Sequence, residues 1–124
     1  MALPRFEYHE PGSLAEASQM FQSFGEAAVL LAGGTDLLVK MKNRLLQPQH
    51  IVSVAELEEM QHITVQSSSV SIGACCTVSR IAESTNIKAN FPALASGAEQ
   101  IGSPAVRNLG TVGGNLMTAS PAAD

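Results

Sequence analysis

The sequence predicts an α+β fold in two parts: a βαβαβ unit of the α/β kind over residues 1–58, then the start of a second α+β unit over residues 59–124, apparently truncated. Three observations carry this. Helix-period apolar segments alternate with short apolar runs as far as Val54. Strand-like alternation then replaces that pattern on either side of Ser67-Ser68-Ser69. Finally, each part holds one glycine pair, Gly33-Gly34 and Gly113-Gly114.

Phe6 to Tyr8 reads as a short first strand ended by Pro11-Gly12. Ser13 and Glu16 have capping-box spacing, and Leu14, Ala17, Met20, Phe21 and Phe24 recur at helical intervals, so a helix is expected over 14–24 with Gly25 closing it. Ala28 to Ala32 is short and wholly apolar, which predicts a fully buried strand. A second helix is expected from Asp36 to Asn43, and a strand from Ile51 to Val54 after Pro48. Ile63–Gln66 and Val70–Ala74 read as an antiparallel hairpin. Thr77 can cap a helix reaching Ser84, and Pro92 stands near the start of another running to Gln100, with Leu94, Ala95 and Ala98 as its core face.

Composition narrows the function. The chain has 124 residues, 45% hydrophobic and 15% charged, enough to bury a core without disulfides or a structural metal. Its formal charge of −4, with Lys40, Lys42 and Arg44 as the one tight basic cluster, argues against nucleic acid. No apolar run approaches the roughly 20 residues that cross a bilayer, and Met1 to Pro11 lacks a signal-peptide core, so a cytoplasmic protein is expected. Cys75 and Cys76 are neighbours, whose side chains would point to opposite faces if they lay on a strand; they lack the spacing of a redox, zinc or iron–sulfur site and are expected to be ordinary small core or surface residues. His9, His50 and His62 lack ligand spacing and are expected to be scattered surface residues or occasional hydrogen-bond partners.

The glycine pairs are the informative feature. Strand, glycines and helix in succession let the backbone approach an anion and aim N–H groups at it. Gly33-Gly34-Thr35 has that order, although such a turn also occurs for purely structural reasons, and it is neither G-x-G-x-x-G nor a Walker motif. "GTVGGN", residues 110–115, reads as a second loop of the same chemistry, with Thr111 and Asn115 adding polar groups. Two converging loops enclose a diphosphate with few cations, which suits an acidic chain. On the residues alone this is a candidate nucleotide-binding domain.

"LLAGGTDLLVKMK", "IGACCTVSRIAES", "FPALASGAEQIGSPAVRNLGTVGGN" and "ASPAAD", in this order and spacing, resemble the FAD-binding (medium) subunit of the molybdenum hydroxylases, the family of xanthine dehydrogenase and of bacterial carbon monoxide, nicotinate and aldehyde dehydrogenases. The resemblance covers nearly the whole chain. It implies a two-subdomain fold of the p-cresol methylhydroxylase type with FAD extended between the subdomains. It places Leu30, Leu31, Ala32, Gly33, Gly34, Thr35, Asp36 and Leu37 around the pyrophosphate, and Thr111, Val112, Gly113, Gly114 and Asn115 on the other side. Ile101 would pack by the flavin and Asp124 would hydrogen-bond the sugar-like chain. For Asp36, capping its own helix stands as an equal alternative, and Arg107-Asn108 is expected to shape the second loop. Ala105 stands where relatives commonly have glutamine.

In the resembled family, substrate is oxidised at a molybdenum cofactor in a large subunit. Electrons pass through two [2Fe–2S] clusters in a small subunit to FAD, and on to NAD or another acceptor. No residue here is therefore expected to be catalytic, since the redox chemistry belongs to the cofactor. Members of the family are much longer, so the chain is expected to be an N-terminal part, inactive alone. The alternative is a truncated nucleotide-binding or assembly module without redox turnover; a generic α/β domain with structural glycine turns is a third reading.

Overall fold

The computed structural model describes residues 2–118. Its elements, in order, are β1 (Glu7–His9), α1 (Leu14–Phe24), β2 (Ala28–Leu31), α2 (Leu37–Lys42), β3 (His50–Ser53), β4 (Ile63–Val65), β5 (Val70–Ile72), α3 (Val78–Glu83), α4 (Thr85–Asn90), α5 (Pro92–Glu99), α6 (Pro104–Leu109) and α7 (Val112–Thr118). Helix and strand are mixed, as the residue patterns predict.

The start of α1 follows from its first residues. The Ser13 hydroxyl accepts from Glu16 N–H at 3.1 Å, while the Glu16 carboxylate accepts from Gly12 N–H at 2.8 Å. The first bond satisfies one of the helix's orphan donors, and the second ties the residue before the N-cap to the first turn. Ser13→Ala is expected to cost about 1 kcal/mol, seen as a lower urea midpoint at unchanged slope. At the other end Gly25, at φ +59, donates its N–H to Phe21.

β1, β3 and β2 form a parallel sheet in that order, with Tyr8 opposite Ile51 and Leu30 opposite Val52. β3 is the central strand, and Ile51, Val52 and Ser53 are buried on both of its faces. The expectation of a fully buried Ala28–Ala32 strand is corrected: β2 is an edge, and Leu30 is 55% exposed. A second, antiparallel sheet pairs β4 with β5, Ile63 opposite Ile72, as the alternation predicts.

Two cores result. Ala17, Val52, Val54, Leu57 and Cys75 pack beneath the parallel sheet with Met20, Phe21 and Phe24 of α1. Cys76, Val78, Ile81, Ala82, Ile87, Ala95 and Ala98 form the second, closed by the hairpin's Ile63, Val65 and Ile72. Thr77 caps α3 as expected, accepting from Arg80 N–H. Leu94 is not in the core; Ala95 and Ala98, three apart on one face, carry α5 inward and turn Leu94 outward. The adjacent cysteines lie in the turn between hairpin and α3, not on a strand, and enter different cores. That turn is tight, because a Cβ on Gly73 would lie 2.2 Å from the Met60 carbonyl oxygen.

Candidate functional site

Gly33-Gly34-Thr35 leaves the C-terminal end of β2, where open α/β sheets hold ligands. Gly34 takes φ +78, a conformation that side chains disfavour. Gly33 touches the second motif directly: a Cβ there would lie 2.1 Å from the Leu109 carbonyl oxygen and 3.0 Å from Gly110 Cα. Gly33 thus leaves room for the α6–α7 junction.

Together the motifs border a cleft of about 650 Å³, within the usual range for small-molecule sites. Leu30, Ala32, Gly33, Gly34, Thr35, Asp36 and Leu37 line it from one side, and Ile101, Thr111, Gly113, Gly114 and Asn115 from the other. Leu31 is turned toward Gly34, with Cδ1 3.2 Å from the position of a Gly34 Cβ. Val112 packs on the helical core instead. Asp124 lies outside the described residues.

The second motif is not the loop the sequence suggests. Val112 to Thr118 is helix α7, and its opening N–H groups are taken up within the chain. Val112 donates to the Cys76 carbonyl at 3.1 Å, Gly113 to that of Ala74 at 2.9 Å, Gly114 to Thr111 Oγ1 at 3.1 Å and Asn115 to the Thr111 carbonyl at 3.0 Å. The cause is a clamp: Val78 N–H donates to the Gly110 carbonyl at 2.9 Å and Thr77 bridges to Thr111, which seats the helix start on the cysteine turn. Gly113 must be small there, since its Cβ would meet the Ala74 carbonyl oxygen at 2.8 Å.

The first motif differs. Among the described residues, no hydrogen bond takes up the N–H of Gly33, Gly34 or Thr35. These three donors, with Gly34 in a conformation that brings backbone close, suit a phosphate. Asp36 occupies the N-cap position of α2 but its side chain makes no capping hydrogen bond, so the capping alternative falls. Lys40, one turn along α2, is the one cation among the described lining residues. Sequence reasoning saw it only as part of a basic cluster; its spacing from Leu37 was the available signal.

The rest of the cleft is apolar wall, including Val54, Met60, Ala74, Cys75 and Met117. Burial pushes the Cys75 thiol above its usual pKa, and the same cause raises Cys76 against an opposing pull from Arg80. Both therefore keep their protons near neutrality and are poor nucleophiles. Arg107 donates to the carbonyls of Ile101 and Gly102 at 3.1 and 3.0 Å, and Asn108 accepts from Ser79, so this pair shapes the approach to the second motif as expected.

The histidines require a correction. His9 and His50 are not scattered: the parallel pairing of β1 with β3 brings their rings together, with Glu7 beside them. Only His62 stays apart, at 2.9 Å from Ser71 Oγ.

Residues 4–124 match a family model described as the FAD binding domain in molybdopterin dehydrogenase. The carbon monoxide dehydrogenase medium chain of Hydrogenophaga pseudoflava is 40% identical over 124 residues, which is 100% of this chain and 43% of that relative. The nicotinate dehydrogenase FAD-subunit of Eubacterium barkeri is 37% identical over 120 residues, 96% of this chain and 40% of the relative. A solved structure of carbon monoxide dehydrogenase from Hydrogenophaga pseudoflava, lacking the Mo-pyranopterin moiety of its molybdenum cofactor, superimposes with a TM-score of 0.96 at 40% identity, covering 100% of this chain and 43% of that one. The chain thus spans well under half the length of the relatives it matches.

Proposed function

The chain belongs to the family of FAD binding domains of molybdopterin dehydrogenases, and from that membership we propose that it is the N-terminal part of the flavin subunit of a molybdenum-containing hydroxylase. In this reading it is one component of an oxidoreductase, carrying electrons from [2Fe–2S] clusters in a small subunit to NAD or another acceptor. A large subunit holding the molybdenum cofactor is the other partner, and the location is cytoplasmic; among the described residues, no helix is long and apolar enough to cross a membrane.

One observation carries the proposal: the two glycine motifs, far apart in sequence, meet across one cleft that has backbone donors on one wall and much apolar surface among its other lining residues. The site residues follow. Leu30 to Leu37 surround the pyrophosphate, with the Gly33, Gly34 and Thr35 N–H groups donating to it and Lys40 adding charge. Thr111 to Asn115 form the opposite wall, Ile101 packs beside the flavin, and Asp124 hydrogen-bonds the sugar-like chain. FAD lies extended between subdomains 1–58 and 59–124, in a fold of the p-cresol methylhydroxylase type.

When bound, FAD supplies the hydride and one-electron chemistry. The chain's own residues bind and orient it: buried Val54 and Cys75 with Ile101 offer apolar surface along the cleft, and no side chain here needs to move a proton. The segment alone is expected to show no turnover.

The test is a fluorescence titration of FAD into the flavin subunit that carries this segment, with FMN as competitor. One FAD per chain, outcompeting FMN, is expected. Lys40→Met is expected to weaken binding by about 1 kcal/mol, roughly fivefold, with a flatter salt dependence. Equal affinity for FMN and FAD would overturn the reading of the cleft as a dinucleotide site.

A further inference from the structure

A second site lies at the other end of the parallel sheet, against the start of β3 and away from the cleft at the end of β2. Glu7 stands opposite His50 in the β1–β3 pairing, and His9 follows two residues after Glu7 on the same strand face. Their ligand-capable atoms converge: His9 Nε2 and His50 Nδ1 are 3.1 Å apart, and Glu7 Oε2 is 3.7 Å from the first and 3.4 Å from the second. We propose that Glu7, His9 and His50 form a binding site for a divalent transition metal of the Zn²⁺ class, tying the edge strand β1 to the central strand β3.

The geometry is what such an ion needs. Three atoms at those separations surround a point about 2.0 Å from each, and Zn–N and Zn–O bonds run about 2.0–2.2 Å. Two imidazoles and a carboxylate are a donor set that selects zinc and its neighbours over calcium or magnesium. Phe24 holds the rings in place: it stacks on His50 at 3.9 Å with 6° between planes, and tilts against His9 at 4.8 Å. The two histidines are largely buried while Glu7 is 73% exposed, which leaves a fourth position for water. Without an ion the rings share a hydrogen bond, one nitrogen donating to the other, so to bind a metal the donating ring moves its proton to its other nitrogen and both facing nitrogens offer lone pairs.

The site is independent of the cofactor proposal and is tested separately. Zinc chloride is titrated into the metal-free protein by calorimetry, with Co²⁺ as a spectroscopic substitute, on the native chain and on His9→Gln, His50→Gln and Glu7→Gln. One Zn²⁺ per chain is expected, with a rise in Tm on saturation and a Co²⁺ absorption band of four-coordinate strength. Each histidine variant removes a direct ligand and should lose more than the roughly hundredfold in affinity that a missing outer-shell partner can cost, together with the Zn²⁺-dependent rise in Tm, while FAD binding stays unchanged. Absence of saturable uptake, or native affinity retained in a folded His9→Gln or His50→Gln chain, would overturn the proposal. Should a histidine variant fail to fold, the exposed Glu7→Gln decides: weakened Zn²⁺ binding and an altered Co²⁺ spectrum support the site, and an unchanged isotherm sinks it.

Discussion

Gly33→Ala is expected to destabilise the chain by about 3 kcal/mol or more, the upper part of the range for overpacking a tight interior. The added Cβ would stand 2.1 Å from the Leu109 carbonyl oxygen, 2.8 Å from its carbon and 3.0 Å from Gly110 Cα. All three are backbone atoms, so no side chain can rotate to relieve the contact. The strand end and the α6–α7 junction would have to separate. That separation also pulls on the Val78–Gly110 hydrogen bond and the Thr77–Thr111 bridge, which seat α7 on the cysteine turn. Urea denaturation without FAD measures the effect. Native stability in this variant would mean that the two motifs do not touch, and the cleft described above would lose its floor.

How much of this could be read in the residues depends on the range of the signal. Local punctuation was legible. Ser13 with Glu16, Gly25, Thr77 and Pro92 mark helix ends within a few positions, and the structure uses them in that way. The same pattern also marks α4 and α6, where Ser84 and Ser103 accept from the N–H three residues on, but no long apolar period drew attention to these short helices. The Thr111–Gly114 bond follows the same spacing, and the glycines after it disguised a helix start as a loop.

What was not legible is set by long-range pairing. Ala28–Ala32 is more apolar than His50–Ser53, yet β3 is the buried strand, because strand order and not hydropathy decides which one lies between two neighbours. The convergence of Glu7, His9 and His50 depends on a parallel register that joins residues more than forty positions apart, invisible to any spacing rule. The resemblance named residues that line the cleft on both sides; it did not say which side keeps backbone amides without a partner among the described residues. That distinction came from the hydrogen bonds, which occupy the α7 amides and leave those of Gly33 to Thr35.

Gly114→Val is where fold and cofactor part company, and it is expected to reduce FAD affinity by more than about a hundredfold, near 2.7 kcal/mol, while the domain stays folded. Gly114 sits in the first turn of α7 and lines the cleft. A Cβ there meets one neighbour, Thr111 Oγ1 at 3.0 Å, a side-chain atom that can yield by a few tenths of an ångström. Its N–H bond to that oxygen survives substitution, because valine keeps the donor. Filling a helical glycine removes a backbone-entropy cost of roughly 0.5–1 kcal/mol, which offsets the stiffness of a β-branched side chain. The stability change should therefore stay within about 1 kcal/mol. In the cleft, by contrast, the valine methyls would occupy space between the α7 wall and the donors of Gly33 to Thr35. Binding is measured by flavin fluorescence, and folding by circular dichroism on the same sample. A folded Gly114→Val protein that holds FAD with native affinity would confine the dinucleotide to the first motif and leave α7 as scaffold. A folded protein that loses FAD would show that the helix start touches the cofactor even though its amides are bonded elsewhere, so that shape and not hydrogen bonding is what the second glycine pair contributes.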